Sequence, residues 1–257
     1  MDAGVCWMSV SSRAATPDRI AAALVELAGR MPESIVVDIG GGSGTRAVPL
    51  ALQGCTVLVV DSSIDALAIL RRRARDAGVA HLITGIQADA VDLADAVPHG
   101  KADLVLCHHL LETVEDPAAA VAGIGAALKP SGVASVLVAG RFAAVLAQAG
   151  AGRFGAAAAI LADPAGRYGD SDPLIRRFDL EGLRALLLAG GLDVEALTGL
   201  GIVPGPVQGA GRAGARSASE STTEEPRLAD LEAQLAVHRQ LREIATDLHA
   251  VARLRAG

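Results

Sequence analysis

Ile35-Val36-Val37-Asp38-Ile39-Gly40-Gly41-Gly42-Ser43-Gly44 is the most informative segment of this chain. A short, mostly apolar run closed by glycines is the pattern of a strand buried on both faces of a parallel sheet. The glycines let the backbone turn sharply and pass close to a ligand, and a helix opening after them offers free N–H groups. Residues 45–52 read as that helix, although Pro49 inside it limits its length. Residues 56–60 read as a second buried strand ending at Asp61, so the unit is strand–helix–strand. Working outward, a helix is expected over 65–77, a strand over 82–86, a strand over 103–107, a helix over 118–128 and a strand over 133–138. Helix and strand are expected again over 179–189 and 192–196. Such alternation predicts an α/β fold with a mostly parallel sheet of seven (or six) strands and helices on both faces.

Composition bounds the rest. Hydrophobic residues make up 51% of the 257, enough for one sizeable core. Aromatics are 2%, which excludes a binding surface built on rows of stacking rings. The net charge of −6 gives no global basic field for nucleic acid or anionic membrane, though nearly all the cations are arginine. No apolar run is long enough to span a bilayer, so no membrane partner is expected. Cys6, Cys55 and Cys107 are isolated, which argues against disulfides and zinc; reduced thiols in a cytoplasmic protein without a metal are expected. The chain divides into an N-terminal helical segment (1–34), a ligand-binding domain (35–204), a flexible Gly/Ala/Ser/Thr-rich linker (205–226) and a C-terminal helix (227–257). Leu228, Leu231, Leu235, Leu241, Ile244, Leu248 and Val251 supply the apolar stripe of that last helix.

Spacing separates two nucleotide-binding readings of the glycine turn. Dinucleotide binders want G-x-G-x-x-G. Gly40, Gly42 and Gly44 give G-x-G-x-G instead, preceded by Asp38 inside the strand. This D-x-G-x-G-x-G form resembles the first motif of class I methyltransferases, which bind S-adenosylmethionine (SAM). The resemblance implies a Rossmann-like class I methyltransferase fold, with SAM lying along Gly40, Gly41, Gly42 and Gly44. Asp61 at the end of the next strand can accept both hydroxyls of a ribose. Asp89, with the Ala90 N–H, is the matching candidate beside adenine. His108 and His109 fall at the carboxyl end of the fourth strand, the edge where ligands of open parallel sheets sit.

Asp103-Leu104-Val105-Leu106-Cys107-His108-His109-Leu110-Leu111-Glu112-Thr113-Val114-Glu115-Asp116-Pro117 resembles the corresponding block of the tRNA 5-carboxymethoxyuridine methyltransferases. The similarity continues through Leu128–Gly132, Asp172–Phe178, Ala189–Leu192 and Thr198-Gly199, and Leu248–Arg253 is similar to that family's C-terminal helix. What the resemblance implies is a tRNA partner and esterification of a carboxymethoxy group on its wobble uridine. It carries SAM-site roles onto Gly40, Gly41, Asp61, Asp89, Ala90 and His108, and onto an N-terminal arginine, Arg19 or else Arg13. A carboxylate acceptor is already ionised at neutral pH and needs no base, only a cation or donor to hold it. His108, Arg176 and Arg177 are the expected catalytic residues, with Arg141 and Arg153 behind them. On this reading the rate is flat with pH above about 6.

Leu200-Gly201-Ile202-Val203 departs from the family pattern, which carries an arginine and an aromatic there. With the acidic charge, that departure leaves O-methylation of a small-molecule acceptor as an alternative. A SAM-binding protein without catalysis is a second alternative, and a nicotinamide oxidoreductase a third.

Overall fold

The computed structural model describes residues 17–89, 92–203 and 218–255; of 17–19 and 218–226 only the helical backbone is described. In chain order the described elements are α1 (Pro17–Ala28), β1 (Ile35–Ile39), α2 (Ala47–Leu52), β2 (Thr56–Asp61), α3 (Ile64–Asp76), β3 (Ile83–Gln87), α4 (Leu93–Ala96) and β4 (Ala102–His108). There follow α5 (Pro117–Ala127), β5 (Leu128–Ala139), α6 (Arg141–Gly150), α7 (Phe154–Ala162), α8 (Leu180–Ala189), β6 (Leu192–Leu200), α9 (Ala218–Val237) and β7 (Asp247–Leu254). The strands form one seven-stranded sheet in the order β3-β2-β1-β4-β5-β7-β6. β1 to β5 run parallel, while β7 lies antiparallel between β5 and β6. The chain order reverses between β1 and β4, which opens the crevice where such sheets receive ligands.

Local chemistry explains why these elements stop where they do. The Ser63 side chain caps α3 by accepting from Ala66 N–H. Asp116 caps α5 by accepting from Ala118 and Ala119, with Pro117 in the first helical position. Asp179 caps α8 by accepting from Gly182. Every residue of β4 is buried, as a central parallel strand requires.

Two apolar layers sandwich the sheet. Ile20, Leu24 and Leu27 of α1, Leu50 of α2 and Leu67 and Leu70 of α3 pack on Val36, Leu104, Leu106 and Leu137. On the other face Val121 and Ile124 of α5 and Leu183 and Leu187 of α8 pack on Val37, Ile39, Val105 and Val136. The side chain at each strand position thus belongs to one face by alternation.

The C-terminal expectation is corrected. Residues 227–257 are not one helix: α9 ends at Val237, a 3₁₀ turn covers Arg242–Ile244, and Asp247–Leu254 is the strand β7. Leu248 and Val251 therefore belong to the sheet, where β7 supplies partners to both β5 and β6. Of the expected linker, residues 205–217 lie outside the described residues, and 218–226 are helical from Ala218 onward.

Candidate active site

The glycine turn is held open by conformations that side chains avoid. Gly40, Gly42 and Gly44 have φ of +72°, +55° and +77°, the left-handed region where only glycine is unstrained. Gly40 N–H donates to Val60 C=O at 2.7 Å, which ties the turn to β2. Gly41 matters for space: a Cβ there would stand 2.5 Å from the carboxyl of Asp38. Leu110, just after β4, lies over Gly40.

Asp38 is 2% exposed, and its Oδ2 has no hydrogen-bond partner. Burial pushes its pKa up to about 7; the Arg46 charge works against that rise and Asp61 adds to it. A buried carboxyl left this incomplete is costly unless a ligand completes it. Arg46 opens α2 and is only partly buried, yet its Nε is buried without a partner. Its charge acts on Asp38, His108 and His109 alike. An acid and a guanidinium, each with an unused polar atom, therefore flank the glycine turn. Such a pair complements the ammonium and carboxylate of a free amino-acid end.

Asp61 closes β2 facing the turn. Its Oδ2 accepts from Gly42 N–H at 2.9 Å and its Oδ1 from Ser63 N–H at 2.9 Å. Each oxygen keeps a second lone pair, so the carboxylate is oriented by backbone and can still accept two hydroxyls. Asp89 is exposed beyond β3. Ala90, Arg13, Cys6 and the side chain of Arg19 lie outside the described residues.

The three expected catalytic residues are engaged in other work. His108 is 5% exposed, and its Nε2 meets Ser135 Oγ at 2.9 Å. The same hydroxyl meets His249 Nε2 at 2.8 Å, so a buried His108–Ser135–His249 chain crosses β4, β5 and β7. Burial, reinforced by Arg46 and His249, holds the His108 pKa well below the usual histidine range. Burial also lowers His249, to about 4. His108 is thus a neutral core residue whose one unpartnered atom is Nδ1. Arg176 donates to the carbonyls of Leu111, Val114 and Glu115 and so staples the loop after β4. Arg177 grips the buried Asp172 with two bonds, at 2.6 and 3.0 Å, and donates to Gly166 C=O. Arg141 donates to the carbonyls of Ile160, Leu161 and Asp163 at the end of α7. Sequence patterns show which residues are arginine, but not which carbonyls the folded chain leaves over for them.

Two residues stand out beyond the expected catalytic set, and the sequence marks the second only as half of the histidine pair after the fourth strand. Arg46 is one, and its only signal was its place directly after D-x-G-x-G-x-G-T. The other is His109, which has a φ of 57°, a strained value for a residue with a side chain. Its Nδ1 lies 2.9 Å from Oε1 of the buried Glu112, and its Nε2 3.8 Å from Asp247 Oδ1. Among the described residues no group of three or more metal-binding side chains comes together, and no helix is long and apolar enough to cross a membrane.

Comparison with known proteins now bears on this arrangement. Residues 13–197 match the family model described as a methyltransferase domain. The chain belongs to the methyltransferase-domain family. A ubiquinone biosynthesis O-methyltransferase of Methylococcus capsulatus is 39% identical over 106 residues, which is 41% of this chain and 42% of that protein. The tRNA 5-carboxymethoxyuridine methyltransferase of Escherichia coli K12 is 32% identical over 102 residues, 40% of this chain and 39% of that one. This methyltransferase domain thus spans about two fifths of the length of the curated relatives it matches. Among solved structures, a SAM-dependent methyltransferase from Mesorhizobium loti superposes with a TM-score of 0.54 at 20% identity, over 89% of this chain and 97% of that one. The [4+2]-cyclase SpnF superposes with a TM-score of 0.57 at 19% identity, over 96% and 84%. The fold is that of the class I SAM-dependent methyltransferases, and SAM is the cofactor that goes with it. A cyclase on the same fold means that the chemistry must be argued from the site.

Proposed function

We propose that this methyltransferase domain binds SAM along the Gly40–Gly44 turn and transfers its methyl group to an oxygen of a small molecule. The observation that carries the cofactor half is the buried, incomplete Asp38 beside Arg46. On this reading Arg46 takes the carboxylate of SAM's amino-acid end and Asp38 its ammonium. Asp61 accepts the ribose hydroxyls, and Asp89 lies beside the adenine. The bound cofactor supplies an electrophilic methyl group on a sulfonium; the protein's own work is alignment of acceptor oxygen, methyl and sulfur. Gly41 leaves room for the Asp38 carboxyl, and Leu110 covers the turn from the β4 side. The buried free thiols of Cys55 and Cys107 fit the reducing cytoplasm as its location. Titration calorimetry with SAM tests the site. Asp61→Ala and Arg46→Ala should each weaken binding at least tenfold, and unchanged affinity in both variants would remove the assignment.

A small-molecule acceptor is favoured because the cations expected to hold a tRNA carboxylate, Arg176 and Arg177, are spent on protein groups. The tRNA reading has its own support in the 103–117 block and in α3, where Arg71, Arg72, Arg73 and Arg75 are all exposed. Arg73 reaches the glycine turn at Ser43 and Thr45. Incubation with labelled SAM separates the two: label entering total tRNA supports the second reading, and tRNA left unlabelled while a low-molecular-weight acceptor is methylated supports the first.

A further inference from the structure

We propose that His109 is the general base of this site, held at Nδ1 by Glu112 and with Asp247 beside its Nε2, so that the acceptor it serves is a hydroxyl rather than a carboxylate. The inference rests on the reading of the turn as a SAM site and deepens it to the class of acceptor.

Geometry carries the argument. His109 follows β4 at the carboxyl edge of the sheet, and its neighbour Leu110 lies over Gly40 of the glycine turn. Its backbone occupies the left-handed region, where a non-glycine residue is strained and persists only if its surroundings enforce it. The enforcement is visible: His109 N–H donates to Leu137 C=O at 2.8 Å, and Nδ1 is bonded to Glu112 Oε1. Glu112 is fixed in turn, with Oε1 also accepting from Ala139 N–H and its backbone C=O accepting from Ile175 and Arg176. The His109 side chain is 42% exposed while Glu112 is 2% exposed, so a buried carboxylate backs an accessible ring.

That arrangement fixes the tautomer. A carboxylate accepts only, so Nδ1 carries the proton toward Glu112 and Nε2 of the neutral ring holds the free lone pair. Four charged or titratable groups face the ring: Glu112 in its own loop, Asp247 at the start of β7, Arg46 at the start of α2, and His108 beside it in the chain. The bond to Glu112 raises the His109 pKa, and Asp247 supports the rise; burial and Arg46 oppose it. A base whose pKa sits at or above the usual value for histidine suits a weakly acidic hydroxyl at neutral pH. In the step itself an oxygen lone pair forms the O–CH3 bond and the S–CH3 pair returns to sulfur. The hydroxyl proton moves to His109 Nε2 and then to water. A carboxylate acceptor would leave His109 with no proton to take.

The full chain is tested with SAM and a panel of monohydroxy- and dihydroxybenzoates as probe acceptors. His109→Asn is the informative variant, because asparagine tolerates the left-handed backbone and keeps the loop in shape. The expected result is kcat down by about 10²–10⁴ at saturating SAM, with the rise of kcat through the His109 titration abolished. SAM affinity by calorimetry should stay within about twofold, which separates this outcome from failure of the cofactor site. Glu112→Gln should move the midpoint of the surviving pH profile downward. A kcat and pH profile unchanged in His109→Asn, or no methyl transfer to any hydroxyl of the panel, overturns the proposal.

Discussion

Asp38 is a buried carboxyl with an unpartnered oxygen, an unfavourable group in the ligand-free protein. Its pKa is raised from 3.8 to about 7, so between those values the folded chain holds a proton that the unfolded chain has lost. The associated stability is therefore fully present below about pH 4 and is gone once the pH has risen through 7. Asp38→Asn should raise the stability of the ligand-free protein at pH 8 by on the order of 1 kcal/mol or more, measured by urea unfolding. The same variant should lose SAM affinity. If Asp38 takes the ammonium of SAM, the association constant of the unmodified protein should be level between about pH 7 and 8 and fall about tenfold per unit below 7. A flat calorimetric profile from pH 5 to 8 would break the link between Asp38 and the ammonium. Gly41→Ala should also weaken SAM binding at least tenfold, since its Cβ would enter the space of the Asp38 carboxyl. The glycine turn, Asp38 and Asp61 were legible in the sequence because type and spacing alone define them. Arg46 and the His109–Glu112 pairing were not, because each depends on where a side chain points once the loop after β4 has folded.

Between elements, the buried polar contacts join strands more than they serve chemistry. The His108–Ser135–His249 chain ties β4 and β5 to β7 with neutral imidazoles. Ser135→Ala would leave both rings without a shared partner in the core and should cost about 1–3 kcal/mol. Acid should act through the same pair. Above about pH 6.5 both states carry neutral rings; below it the unfolded chain gains protons that the folded chain refuses down to about pH 4 for His249. The pair's contribution to stability thus falls as pH drops from 6.5 toward 4, against the contribution of Asp38, and thermal unfolding should show His249→Phe losing less stability than the unmodified protein over that range. Arg177→Ala strips the buried Asp172 of its partner and should cost roughly 3–5 kcal/mol of stability. If its folded fraction instead shows unchanged stability and a lost kcat, Arg177 belongs to the chemistry after all. Legibility at this scale followed burial pattern. β1, β2 and β4 are apolar runs ended by glycine, aspartate or histidine, so they were read directly. β7 escaped because five of its eight residues are buried in succession, which erases the alternation of a strand. Leu248 and Val251 then fell in step with the leucines of α9 and extended a helical period across a real boundary.

The whole molecule carries a net charge of −6, yet four arginines are gathered on the exposed side of α3. If tRNA is a partner, those side chains should give binding a steep salt dependence. Replacing Arg71, Arg72 and Arg75 with Ala should then lower the slope of log K against log salt by about 3. Binding that is absent at 50 mM salt would remove the tRNA reading and favour the small-molecule acceptor over it. Sequence could report the charge total and the arginine run, but only the folded helix shows that the run faces outward while Leu67 and Leu70 face in.

β7 lies antiparallel between β5 and β6, although it follows both in the chain. A ribosome emits β5 and β6 long before residues 247–254, so both nascent strands wait with bare edges at positions that will end up mid-sheet. Vectorial folding from the N-terminus can complete β1 to β4 first, but the half that carries Asp247 and His249 closes only once residues 247–254 have emerged. The approach of Asp247 to His109 accordingly waits for β7 to emerge.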